Sequence, residues 1–312
     1  MPQPGSRLLR RYVSALLVSI VTIGFSGCRL LQPPASQNVT QARWLTSLGF
    51  DALQKDQVEQ AKGCFMRACD ACPDDQRLRE NLAEAHKRGG HFNQAISELN
   101  KVLPHSNNPA KTHKELGELY LLQGQLRPAL EHANQSISLD RNAAIGWDLR
   151  GRALARMGHN DAAIESFNRA LTLENNDDAY AVQIDAEQVR LHLAESLIEI
   201  GNLKKAMTVL ETVSGEHPEN RQPESLALVQ GRLFEKMKMP GKASEVLARA
   251  ARNPDNSSRV FLALSRSQQK QGDWTAAQNT LRLAAQKFPG DPSIQTRMAD
   301  LNSNVPEMAK RY

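Results

Sequence analysis

Seven alanines recur along this chain at a nearly constant stride, and that stride limits what the chain can fold into. Ala61, Ala95, Ala129 and Ala163 are 34 residues apart. Ala206 follows after 43 residues, Ala243 after 37 and Ala277 after 34. Four residues after each alanine stands a bulky apolar side chain: Phe65, Leu99, Phe167, Leu210, Leu247 and Leu281, with Ala133 the exception. Seven residues after it comes a small or β-branched one: Ala68, Val102, Ser136, Ala170, Val213, Ala250 and Ala284. Offsets of four and seven lie on one face of an α-helix. Self-similarity at such a period marks a stack of repeated units.

Each copy also carries a first helix. Five residues before the alanine is a glycine in Gly90, Gly124, Gly158, Gly201 and Gly272, a residue that ends a helix in the left-handed conformation without steric cost. Twelve residues before it sits a small residue, Gly49, Ala83, Gly117, Gly151, Ala194, Gly231 or Ser265, which lets two helices approach closely. Leu48, Leu82, Leu116, Leu193 and Leu264 directly precede that residue and supply apolar area. Pro73, Pro218 and Pro289 fall twelve residues after the alanine, where the second helix must stop. Aromatic residues make up only 5% of the chain, which suits helices packed through alanine and leucine rather than strands.

The pattern resembles the tetratricopeptide repeat. The motif is clearest in Trp147–Asp148–Leu149–Arg150–Gly151 followed by Ala163, Phe167 and Ala170, and the resemblance covers about residues 42–291 in seven copies. It implies an all-α, right-handed α-solenoid of about seven helix–turn–helix repeats. Asp56 and Lys238 stand where the turn glycine belongs, and Arg150 and Gln230 replace the leucine beside the small residue. Those copies are expected to pack less tightly. A four-repeat sub-array over 42–177 and a three-repeat sub-array over 178–291 are expected, joined by an insertion at 178–186. The insertion lacks proline and glycine, so one long helix is expected from an N-cap at Asp177–Asp178 to about Ile200. Arg221–Pro223 reads as a longer loop. Residues 292–312 form a capping helix, over 292–303, and a tail.

The N-terminus reads as a targeting segment. Arg7, Arg10 and Arg11 precede an uncharged run from Tyr12 to Gly27, the composition of a secretory signal peptide over residues 1–27. The run is short and interrupted by polar residues, a weak candidate for a membrane span. Phe25–Ser26–Gly27–Cys28 resembles the bacterial lipoprotein signal. That resemblance implies that Cys28 is lipidated and becomes the new N-terminus. Residues 28–41, with Pro33 and Pro34, are then a lipid-anchored linker. Arg29 is not the aspartate of inner-membrane retention, so an outer-membrane lipoprotein facing the periplasm is expected; a secreted or periplasmic protein and an uncleaved anchor are the alternatives. The net charge of +5 owes three arginines to this leader, and without them 36 basic residues face 34 acidic ones. The basic balance is poor support for nucleic-acid binding.

No nucleotide-binding glycine loop, His-Glu-x-x-His or glycine-flanked serine elbow is present, so no enzyme, cofactor or metal site is expected. His86 falls at a position that is apolar or aromatic in other copies and is expected in the core. His91 and His159 fall in turns. Cys64, Cys69 and Cys72 cluster near one helix end. Cys69 occupies a core position, where a thiol is a small hydrophobe. Cys69 and Cys72 are also candidates for a disulfide, and a metal site would lack its fourth ligand.

The tetratricopeptide resemblance implies a concave groove, lined mainly by first helices, that takes extended peptides or helices. The matching outward cations are Arg77, Lys111, Lys114, Arg152, Arg156, Arg232, Lys236, Arg259, Arg266 and Lys270. Acids are fewest near the last five, which makes an acidic tail or a carboxylate the expected ligand there. The expected function is a non-enzymatic adaptor at the bacterial cell envelope, binding protein or peptide partners and no nucleic acid. Self-association as a structural component, or recruitment for a separate envelope enzyme, are the alternatives.

Overall fold

The computed structural model describes residues 35–174, 184–215 and 223–303. Every regular element among them is helical. The chain divides into two compact units, one ending at Ser106 and the other starting at Asn107. The break falls in Leu103–Pro104–His105–Ser106–Asn107–Asn108, where Pro104 ends one helix in a short 3-10 turn and Pro109 starts the next. The expected joint near 177 lies inside the second unit.

The first unit holds α1 (Ala35–Gln54), α2 (Val58–Ala71), α3 (Gln76–Arg88) and α4 (Phe92–Val102). The second holds α5 (Pro109–Leu122), α6 (Leu126–Leu139), α7 (Ala144–Arg156), α8 (Asn160–Glu174), α9 (Ala186–Glu199), α10 (Leu203–Gly215), α11 (Glu224–Lys236), α12 (Pro240–Ala251), α13 (Ser258–Gln271), α14 (Trp274–Lys287) and α15 (Pro292–Ser303). Odd-numbered helices up to α13 are the first helices of the repeats and even-numbered ones the second. The result is an all-α solenoid of helical hairpins.

All seven recurring alanines are completely buried. The small residues upstream work as expected. A Cβ on Gly49 would lie 2.6 Å from the Phe65 ring, one on Gly151 2.5 Å from the Phe167 ring, and one on Gly231 2.9 Å from Leu247. Each first helix thus leaves a notch that the large side chain of its own second helix fills. Gly117 differs, since a Cβ there would meet Leu149 of the following repeat at 2.6 Å. Ala133 is too short to occupy that notch, and the neighbouring leucine does so instead.

The five turn glycines have φ between 73° and 90°, and Asp56 (φ 57°) and Lys238 (φ 60°) adopt the same left-handed conformation in their place. These two copies are not loosened, because Ala61, Phe65, Ala243 and Leu247 are fully buried. The cost sits in the turn backbone. Replacing the exposed Lys238 with glycine is expected to raise stability by about 1 kcal/mol, because a left-handed residue with a Cβ costs about that much. A urea titration beside wild type checks it, and an unchanged midpoint would place the strain elsewhere. Arg150 and Gln230 are also accommodated rather than loosely packed. Arg150 Nη1 donates to Ser166 Oγ at 2.6 Å, and Gln230 Nε2 donates to Ser214 Oγ at 2.7 Å. The first ties α7 to its own second helix, and the second ties α11 to α10 of the preceding repeat.

Two boundaries differ from expectation. Helix α1 starts at Ala35, inside the expected linker, because no proline or glycine interrupts the segment from Ala35 to Leu48. The long helix from 177–178 is replaced by one that starts at Ala186. Asp185 caps it by accepting the Gln188 N–H. Residues 175–183, which include most of the insertion, lie outside the described residues. The core nevertheless runs across the insertion. Phe167, Ala170 and Leu173 of α8 share one cluster with Ile184 and with Val189, Leu193 and Leu197 of α9. At the far end α15 covers α13 and α14. Its Ile294 packs with Phe261 and Ala284, and its Leu301 with Ala277 and Leu281.

Candidate functional site

In the second unit each first helix packs on the next, α5 on α7, α7 on α9, α9 on α11 and α11 on α13. Their outward residues therefore form one shared face. Most of the expected groove cations lie on it, and carboxylates engage most of them. Lys111 pairs with Glu115 at 3.6 Å and Lys114 with Glu118 at 3.1 Å. Arg152 lies 2.9 Å from Asp148 and 3.5 Å from Glu118 on the preceding first helix. Arg156 Nη1 donates to the Leu121 carbonyl at 2.7 Å. Arg232 reaches back to Glu195 and Glu199 of α9 at 3.7 and 3.8 Å, Lys236 to Glu199 at 4.0 Å, and Lys270 to Glu235 of α11. Arg77, in the first unit, is highly exposed and lies 4.0 Å from Asp75, whose carboxylate also caps α3 by accepting the Arg77 N–H. A continuous basic groove is therefore not what forms. Long cations of one helix meet carboxylates at the facing position of the helix before it, and the charges largely cancel.

Arg259 and Arg266 are the exceptions. Both are exposed, and no carboxylate among the described residues pairs with either. They lie two turns apart on one face of α13 and line an open recess of about 350 Å³. Leu228 of α11 and Leu262 of α13 line it together with Leu247 from beneath, and Arg232, Glu195 and Glu235 complete its rim. Glu235 is already occupied, since Ser267 Oγ donates to it at 2.6 Å and Lys270 pairs with it. Such a site offers apolar contact together with two guanidiniums whose planar donor sets match a carboxylate. Ser257 and Glu224 hold the helix that carries them. Ser257 caps α13, and its own N–H donates to Glu224 of α11 at 2.9 Å.

Sequence reasoning did not single out the histidine contacts. His113 of α5 and His132 of α6 bring their Nδ1 atoms to 2.9 Å, with Tyr120 stacked on His132. Burial holds both below the ordinary histidine pKa, and the proximity of His113 lowers His132 further. His192 stacks on Phe167 with ring centroids 5.8 Å apart. The available signal was positional: residues 113 and 132 lie four before a notch glycine and three after an anchoring alanine, on surfaces that face each other. His86 is only partly buried rather than in the core, and its pKa is lowered chiefly by desolvation.

Cys28 lies outside the described residues. Cys69 and Cys72 are free thiols in the structure. Cys69 packs among Phe65, Leu78 and Leu82, and burial pushes its thiol up to about 11. A thiol held protonated in this way is a poor nucleophile. Among the described residues no group of three His, Cys, Asp or Glu is arranged to hold a metal ion, and no helix is long and apolar enough to cross a membrane.

Descriptions of the tetratricopeptide repeat match residues 145–177, and again 188–220 and 259–291. No curated protein matches the chain. Among solved structures, a tetratricopeptide repeat protein from Parabacteroides merdae superposes with a TM-score of 0.66 at 16% identity, over 85% of this chain and all of its own. PilW, described as a widely conserved type IV pilus biogenesis factor, gives 0.60 at 16% identity over 72% of this chain and 98% of its own. Pseudomonas aeruginosa pilF gives 0.57 at 18% identity over 75% of this chain and 99% of its own. At these identities the likeness is one of fold. The buried alanine register, the left-handed turns, the interlocked notches and the matched segments agree, and this chain contains tetratricopeptide repeats.

Proposed function

We propose that this chain is a non-enzymatic adaptor held at the bacterial cell envelope by lipid on Cys28, gripping a segment of a partner protein on the first-helix face of its second unit. Tetratricopeptide repeats are protein–protein interaction scaffolds, and that much follows from the fold. The observation that carries the finer reading is the pair Arg259 and Arg266. Neither pairs with a carboxylate among the described residues, and both lie beside Leu228, Leu247 and Leu262 on a face where neighbouring cations are neutralised. A partner's anionic group placed there gains charge-assisted hydrogen bonds without breaking an existing pair. The support for the envelope is the leader sequence with Cys28 at its end. An assembly task of the kind named for PilW fits such a location.

The test combines anchoring and capture. Wild type and Cys28→Ser are labelled with a radioactive fatty acid and fractionated. Wild type should carry label and sediment with membranes, and the variant should lose both. In cells cross-linked before lysis, Arg259→Glu/Arg266→Glu should lose at least about tenfold of the partner that wild type captures, since the reversal turns two attractive contacts repulsive. An unlabelled wild type sinks the lipid anchor. Equal capture by the charge-reversed variant removes the recess from the interaction.

A further inference from the structure

The first hairpin of the second unit is tied by one proton. His113 of α5 and His132 of α6 bring their Nδ1 atoms to 2.9 Å. Their ring centroids are 5.2 Å apart, so both nitrogens lie on the line joining the rings and point at each other. A linear N–H···N bond fits that line. A metal ion does not, because it needs about 2.0–2.1 Å to each nitrogen. Tyr120 of α5 stacks on His132, and both histidines are half-buried. The pair sits where this hairpin lacks its own interlock. Ala133 leaves the notch of Gly117 to Leu149 of α7, and His132 lies over the same notch, its Cβ 3.3 Å from where a Cβ on Gly117 would be. Ser136 Oγ of α6 donates to the Ala110 carbonyl of α5 at 2.9 Å, and the histidines tie the two helices one turn further along.

This tie tolerates one extra proton and not two. With both rings neutral, one Nδ1 donates and the other accepts. The first added proton enters Nε2 of the donor ring, leaves the bond in place and makes it charge-assisted. The second must enter the accepting Nδ1. Two N–H groups then face each other across 2.9 Å on two cationic rings, and the contact breaks.

The charged groups on the packed helices do not compensate. On α5, Lys111 pairs with Glu115 and Lys114 with Glu118. On α7, Arg152 holds Asp148 and Glu118, Arg150 donates to Ser166, and Arg156 donates to the Leu121 carbonyl. On α6, Arg127 is exposed, and Glu131 beside His132 favours the charged ring. Burial and the neighbouring ring outweigh Glu131, so both histidines stay below their ordinary pKa. The folded pair therefore binds protons less readily than the unfolded chain. Its contribution to stability is complete above the ordinary histidine range and is lost as pH falls through and below it.

We infer that the α5–α6 hairpin is an acid-released joint: the hydrogen-bonded proton between His113 and His132 closes it, and protonation of both rings opens it. Helix α5 also carries Glu118, which meets Arg152 of α7 on the first-helix face, so the release reaches that face.

Amide hydrogen exchange on the full chain at about pH 7 and about pH 5, corrected for the intrinsic rate, reads the opening helix by helix. One linked proton changes an opening equilibrium by at most about tenfold per pH unit. Protection in α5 and α6 should fall about tenfold on acidification relative to α13 and α14, which carry no histidine. His113→Gln or His132→Gln should abolish that fall, because an amide can either donate to the remaining ring or accept from it. Titration of the wild-type histidine ring nitrogens by NMR needs no variant, and this pair should take its last proton below the ordinary histidine range. The joint is overturned by equal relative protection of α5 and α6 at both pH values, by a fall that persists in both variants, or by both rings titrating together in the ordinary range.

Discussion

Truncating Phe167 to alanine is expected to lower the stability of the second unit by about 3–5 kcal/mol. The ring is fully buried on α8. It fills the notch of Gly151 on α7, and His192 of α9 stacks against its far side. Its loss opens a cavity bordered by three helices, and the helices cannot close it without dragging their other contacts along. Repeat arrays are held by nearest-neighbour interfaces, so the damage should start locally. Urea unfolding gives the magnitude, and amide hydrogen exchange gives the place: protection should fall first in α7, α8 and α9. A loss below about 1 kcal/mol would falsify the interlock, since it would mean that the site collapses without penalty.

Filling the same notch from the other side should be nearly as harmful. Gly151→Leu is expected to cost about 3 kcal/mol, at the upper end of overpacking penalties. A Cβ alone at this position would lie 2.5 to 2.9 Å from three ring atoms of Phe167, and the added isobutyl group has nowhere to go without separating α7 from α8. Better helix propensity than glycine offsets only about 1 kcal/mol. Introducing Phe167→Ala together with Gly151→Leu should recover part of the loss, because the leucine then occupies the space the ring vacates. Chemical denaturation of the two single variants and the double variant measures that coupling. Strict additivity would show that the two side chains do not share one space.

The repeat was readable because each repeated position answers to a local requirement. A buried helix contact at Ala163, a left-handed turn at Gly158 and a close approach at Gly151 each allow few residue types, so a single chain displays the pattern seven times. Even the exceptions were informative. Asp56 and Lys238 adopt the glycine conformation because the hairpin requires it, whatever residue stands there. The start of α9 was misplaced for an equally local reason: three aspartates precede that helix, and Asp185 rather than Asp177 or Asp178 makes the cap.

The binding face was only half visible in the sequence. Its positions follow from the register, and Arg152, Arg232, Arg259, Arg266 and Lys270 were all named from it. Their electrostatic state does not follow, because an ion pair between first helices joins residues that are distant in the chain. Arg152 meets Glu118, and Lys270 meets Glu235, 35 residues away. A count of cations cannot tell Lys270, which is neutralised, from Arg266, which is not. The 3.9 Å approach of His192 to Asp148 is likewise set by how α7 and α9 pack across an insertion of irregular length. Periodic local chemistry determined the helices, the turns and the packing register of this protein. Which charges remain free to meet a partner was decided by tertiary structure, since pairing depends on distances between side chains that the repeat period does not encode.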